Sequence, residues 1–242
     1  MALGIDIILT LIIVLIAIIV NYIVGFKTYG SYKKSKVKNT LILAFTAIFM
    51  ATAMVLLVLE QVFLMEDLFD ASMQVLFGKH IFGNLAVLFS GMAVIAIDAF
   101  AFNMAFHKKA KILSILVTFW ASVYIILFFL DPFFNLSTGE ISWDIWPTLG
   151  YSPTQLAVFL TIIPMLFIPI LVFIYYAIKI RKQSITRSKR SLFFALGVAS
   201  FAFAYTFELI GIDPLISAFL RILYIVGGLS LYWALFKIKE ES

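Results

Sequence analysis

Residues 3–26 read LGIDIILTLIIVLIAIIVNYIVGF, and the stretch that follows, KTYGSYKKSKVK, holds five lysines: Lys27, Lys33, Lys34, Lys36 and Lys38. An apolar run of this length crosses a ~30 Å hydrocarbon core as a helix of ~20 residues. It does not read as a cleaved leader. No basic segment precedes it, no small-residue cleavage site ends it, and its positive charge comes after the apolar run. A retained membrane helix is expected.

The same pattern recurs along the chain at about 41–63, 81–106, 112–130, 153–178, 191–210 and 214–236. The expected fold class is therefore all-α: a polytopic membrane protein whose 242 residues form a single domain of seven transmembrane helices. Composition agrees, with 64% hydrophobic residues, 13% charged residues and a mean hydropathy of +1.10. Cysteine is absent, which excludes disulfides, iron–sulfur clusters, thiolate metal sites and S-palmitoylation.

Lysine and arginine set the orientation, because cytoplasmic loops retain them. The third connection holds Lys108, Lys109 and Lys111, and the fifth holds Lys179, Arg181, Lys182, Arg187, Lys189 and Arg190. With the first connection and Lys237 and Lys239 of the tail, sixteen of the 18 basic residues fall on one side. The opposite connections carry only Lys79 against Glu66, Asp67, Asp70, Asp131, Glu140, Asp144 and Asp213. The expected topology has the N-terminus outside, the C-terminus cytoplasmic, and the chain in the cell membrane as a multi-pass protein. The +5 net charge is expected to face anionic lipid heads rather than nucleic acid, because the cations flank apolar runs.

Two helix starts are marked. Ser152-Pro153-Thr154-Gln155 reads as a capping box with proline at the first helical position. Gly211-Ile212-Asp213-Pro214 combines a glycine stop, an Asp N-cap and a Pro start, so helices six and seven form a tight outer hairpin. The long connection at about 131–152 places Trp143 and Trp146 at the membrane interface. Pro164 and Pro169 in the fifth helix, and Gly227-Gly228 in the seventh, mark expected kinks. A shift of 152 residues sets Lys27 on Lys179, Lys38 on Arg190 and Phe49 on Phe201, as a three-one-three helix arrangement would.

Residues seven apart share a helix face. Thr46, Ala53 and Glu60 make such a row, as do Asn84, Gly91 and Asp98 on the next helix. Thr10, Ala17 and Asn21 share a face of the first helix, and Gly197, Ala204 and Gly211 one of the sixth. Ser217, Arg221, Tyr224, Gly228 and Tyr232 fall in one sector of the seventh. Small and polar residues mark helix contacts in lipid, so these rows face the bundle interior. Charges inside spans are costly, ~2.5–3.5 kcal/mol each at a helix centre, and are paired, solvated or functional. Glu208 and Arg221 flank the outer hairpin as an expected ion pair, with Glu60 a competing partner. Together with Tyr205 and Tyr224 they form the candidate ligand-binding set. Asp98 has no cation at its depth. With Asn21, which can hydrogen-bond to it, and Asn84, it forms the candidate ion or proton site; packing alone is the alternative reading for each.

Several chemistries are argued against. No span carries a lysine for a retinal Schiff base, and His80 and His107 sit at opposite ends of the third helix, unsuited to haem. His-Glu-x-x-His, Gly-x-Ser-x-Gly and phosphate-binding glycine loops are absent. No catalytic residue, metal or cofactor is expected, and the protein reads as a non-enzyme.

The basic connection ending Lys189-Arg190-Ser191 before Gly197, and Arg221-Ile222-Leu223 ahead of Gly227-Gly228, resemble the seven-helix membrane sensor regions of prokaryotic (archaeal) histidine kinases and their stand-alone relatives. The chain departs from the kinases in having only about six residues after the last helix. The resemblance implies a receptor-like or sensory module signalling through a cytoplasmic protein partner. The alternatives are a small carrier of three-one-three type and a structural subunit of a membrane complex. A polar cavity at the bilayer midplane favours the carrier, an outward-open cavity near Glu208 and Arg221 the receptor, and a dry packed bundle the subunit.

Overall fold

The computed structural model describes residues 5–65, 81–134, 161–210 and 214–238. All regular structure among them is helical: α1 (Ile5–Ser35), α2 (Lys38–Met65), α3 (Ile81–Ala105), α4 (Ala110–Phe134), α5 (Ile163–Ile180), α6 (Ile185–Ile210), α7 (Pro214–Leu220) and α8 (Ile222–Phe236). Six stretches are long and apolar enough to cross a membrane: Ile8–Ser35, Lys38–Glu60, Leu85–Ala105, Ile163–Ile180, Ile185–Phe207 and Ala218–Phe236. A shorter apolar stretch, Ala110–Val123, lies in α4. This is the architecture of a multi-pass membrane protein.

Two helices run past their apolar runs on the basic side. The apolar run of α1 ends near residue 26, yet the helix continues to Ser35, so Lys27, Lys33 and Lys34 stand on helix rather than in a loop. Lysines in a last turn complement the negative end of the helix dipole. Lys36 ends it with φ of 57° and donates its N–H to the Tyr32 carbonyl at 2.7 Å. Lys36 and Val37 alone then join α1 to α2. Likewise α6 begins at Ile185, six residues before the apolar run at 191, because Ser184 Oγ accepts the Arg187 N–H at 3.2 Å as an N-cap.

The last apolar run is two helices. Pro214 stands at the first position of α7, as its sequence signal indicates, and the Tyr224 N–H bonds the Arg221 carbonyl at 3.0 Å in a tight turn between α7 and α8. Gly227 and Gly228 both lie within α8, whose helical assignment runs through them. Their missing side chains serve packing. A Cβ on Gly227 would stand 3.0 Å from the Gly197 carbonyl oxygen, and one on Gly197 would stand 3.1 Å from that of Gly227. Backbones this close need small residues on both helices. Pro169 does lie inside α5, and a wider turn at residues 161–162 leads into that helix at Pro164. The capping-box residues 152–155, the glycine stop with its N-cap at 211–213, and Trp143 and Trp146 fall outside the described residues.

Neighbour relations close the bundle into a ring. Helix α1 packs on α2, α2 on α3, α3 on α5, α5 on α6, α6 on α8, and α8 back on α1. Helix α4 makes its main contact with α3, where Gly91 receives Ile125, and α7 lies against α1. The rings of Phe100, Phe173 and Phe194 join α3, α5 and α6 with centroids 5.2 to 5.9 Å apart. Large apolar side chains point outward in rows, such as Ile12, Ile19, Ile23 and Phe26 on α1 and Ile112, Ile115 and Phe119 on α4. That distribution suits lipid, which gives no reason to hide them, while alanine, glycine and hydroxyl residues take the interior.

Candidate functional site

The ring encloses a cavity of about 30 Å³ at its centre, and every ring helix supplies a wall. Asn21 comes from α1, Thr46 and Met50 from α2, Val94 and Ile97 from α3, Leu166 from α5, Phe201 from α6 and Leu231 from α8. This volume admits only one or two water-sized species, since a water needs about 10–15 Å³ on the same measure. The walls are apolar apart from Asn21 and Thr46.

Asn21 is 0% exposed and arrives there through the small-residue face of α1, with Thr10 and Ala17 buried above it. Its Nδ2 donates to the Ala17 carbonyl at 2.8 Å, a bond within its own helix, and its Oδ1 has no hydrogen-bond partner. Gly228 of α8 makes room for this side chain: a Cβ there would lie 3.2 Å from Oδ1 and 3.3 Å from Nδ2. Asp98 is also 0% exposed, on the stretch of α3 whose Val94 and Ile97 line the cavity. Neither of its carboxyl oxygens has a hydrogen-bond partner in the structure. The expected Asn21–Asp98 hydrogen bond is therefore not formed; the Asn21 amide is taken up by its own helix. Asn84, the third member of the candidate ion set, has its side chain outside the described residues. Among the described residues no group of three or more His, Asp or Glu is placed to hold a metal ion.

The candidate ligand residues divide. Arg221 Nη1 donates to Thr10 Oγ1 at 2.8 Å, tying the α7–α8 turn to α1. The Glu208 side chain falls outside the described residues, so the expected ion pair does too. Glu60 turns toward α3: both its carboxylate oxygens occupy the space a Cβ on Gly83 would take. Tyr224 is buried with its ring 6.0 Å from that of Phe201, and Tyr205 is half-buried against the same core. Of the five, Arg221 and Tyr224 border one turn.

Two pairs of contacts were not foreseen. Ser188 Oγ donates to the Ala177 carbonyl at 2.9 Å and Ser191 Oγ to the Phe173 carbonyl at 2.7 Å, stitching α6 to α5. Their three-residue spacing on one face was the available signal. At the same basic end, Lys27 Nζ donates to Tyr232 Oη at 2.9 Å and lies 4.7 Å from the Phe236 ring centre, clasping α1 to α8. Arg190 Nη2 donates to the Ile238 carbonyl at 2.7 Å, fastening the residues just beyond α8 to α6.

Compared with protein family models, with curated proteins and with solved structures, the chain matches none.

Proposed function

We propose that this chain is a seven-span sensory membrane module, with its N-terminus outside, that passes a change at its buried centre to a cytoplasmic partner. The observation that carries the reading is Asp98, a fully buried carboxyl with no hydrogen-bond partner for either oxygen, inside an otherwise well-packed ring. A bare carboxylate there is expensive, so the group holds a proton or a small cation, and gain or loss of that neutralising partner must alter the preferred packing. A ligand shifts a conformational equilibrium by its differential affinity for the two states.

The route outward is helical. Asn21 and Lys34 stand on one unbroken helix, α1, and Ser188 and Ser191 bind the cytoplasmic half of α6 to α5. A shift at the ring centre therefore moves basic surface directly, and that surface is suited to an acidic face on a partner protein. The resemblance to stand-alone sensor regions points the same way.

A second reading, the small carrier, draws support from the closed ring with α4 set outside it, a three-one-three order of helices. The water-sized, mostly apolar cavity speaks against a carrier of organic solutes and equally suits a structural subunit, from which the unpartnered carboxyl of Asp98 separates the sensor. Proteoliposomes separate the two. The sensor carries no proton or sodium flux above empty vesicles, while its thermal stability depends on pH or sodium and that dependence is lost in Asp98→Asn. Saturable flux abolished by Asp98→Asn would establish the carrier instead.

A further inference from the structure

A second, larger pocket of about 520 Å³ opens at the basic end, between the α3–α4 turn and the end of α5. Its size falls within the ~300–1,000 Å³ of ordinary ligand sites. Lys108 and Lys109 come from the turn, Lys179 from the last turn of α5 and Gln183 from the connection to α6. All four are exposed, none of the lining residues is acidic, and the floor is apolar, with Phe106 and the buried Ile180. Phe106 stacks on Tyr175 at 5.5 Å, and Lys179 Nζ stands 5.7 Å from the Tyr175 ring centre, so the two walls are braced against each other. The result is a preformed concave site with three amines, an imidazole from His107 and no counter-charge of its own.

We propose that this pocket binds the phosphate headgroup of an anionic lipid. Clustered amines from two segments answer a phosphate, which accepts several charge-assisted hydrogen bonds at once. A lipid rather than a free phosphate follows from the rim. Ile112 lies three residues after Lys109 and Ile178 directly before Lys179, and both are strongly exposed. Acyl chains therefore have an apolar track leading down from the pocket on α4 and on α5. Such an occupant would join the α3–α4 turn to the end of α5. The site goes beyond the sensory reading and stands without it, because neither the ring cavity nor Asp98 takes part.

The test is native mass spectrometry of the full chain in detergent, titrated with phosphatidylglycerol and, separately, phosphatidylcholine. One phosphatidylglycerol per chain is expected to bind ahead of all others, with phosphatidylcholine unable to replace it. Lys108→Gln/Lys109→Gln/Lys179→Gln should weaken that first binding roughly a hundredfold, about fivefold per lysine. Lys33→Gln/Lys34→Gln/Lys36→Gln, which removes equal charge at the same end, should leave it within about twofold, a shared surface charge being screened within a Debye length. Equal loss in both triple variants would overturn the site in favour of diffuse attraction. Displacement by inorganic phosphate at concentrations equal to the lipid's would overturn the lipid as occupant. Should the first triple variant fail to fold, Lys109→Gln and Lys179→Gln singly must each show the fivefold loss, and no loss in either refutes the pocket.

Discussion

Gly227→Ala and Gly30→Ala place the same methyl group in two helices with opposite expected results. A Cβ on Gly227 would stand 2.8 Å from Phe201 Cε2 and 3.0 Å from the Gly197 carbonyl oxygen. The phenyl ring can turn, but the carbonyl belongs to the α6 backbone, so the helices must part by a few tenths of an ångström. Overpacking of that kind costs ~1–3 kcal/mol, set against ~0.5–1 kcal/mol gained by replacing a helical glycine. The net loss is about 1 kcal/mol, or ~2–4 °C in Tm for a chain of this size. At Gly30 nothing lies within 4 Å of the added methyl, so only the gain remains and Tm should rise by about 1–3 °C. Intrinsic tryptophan fluorescence during heating in detergent reads both variants against the parent. A Gly227→Ala protein melting at or above the parent would refute the close approach of α6 and α8.

Three shorter expectations follow. Ser191→Ala, which removes a 2.7 Å hydrogen bond from a fully buried hydroxyl, should cost about 0.5–1.5 kcal/mol in reversible unfolding, and an unchanged midpoint would deny the α5–α6 stitch. Lys36→Gly relieves a left-handed backbone at a non-glycine residue and should raise stability by about 1 kcal/mol; a fall in Tm would show that the lysine side chain earns its strained place. For the topology, single cysteines at Lys34 and Ser184 should resist an impermeant thiol reagent in intact cells while one at Gly139 reacts, and labelling of the first two would reverse the orientation.

Much of the architecture was legible because lipid makes the rules stringent. Apolar runs marked every long helix, and the seven-residue rows named the interior: Thr10, Ala17, Asn21, Thr46, Ala53, Ala204 and Asp98 are all buried. Helix ends on the basic side were misjudged, since hydropathy registers where lipid stops and not where backbone hydrogen bonding does. That is why Lys33 and Lys34 stand on α1 and Arg187 and Lys189 on α6. At Gly227-Gly228 composition cannot tell a flexible glycine from one pressed against a neighbouring backbone, and the contact with Gly197 shows the second. The break at Arg221 left no proline or glycine to announce it. Asn21 and Asp98 were rightly placed inside, but they form no mutual hydrogen bond, because the Asn21 amide donates to the carbonyl one turn back in its own helix and its Oδ1 stays unpaired. The pocket at Lys108, Lys109 and Lys179 joins segments about 70 residues apart, a relation no periodicity encodes.

The central claim, that the state of Asp98 is passed to the basic end, is tested most directly by distance. Because the chain has no cysteine, spin labels at Lys34→Cys and Lys182→Cys attach without background. Pulsed electron resonance in lipid nanodiscs then reports the separation of the α1 end from the α5–α6 connection. A distribution that shifts between low and high pH, or with sodium, and is frozen in Asp98→Asn is the expected result. One distribution shared by parent and variant under every condition would contradict the claim, leaving Asp98 as a buried structural acid.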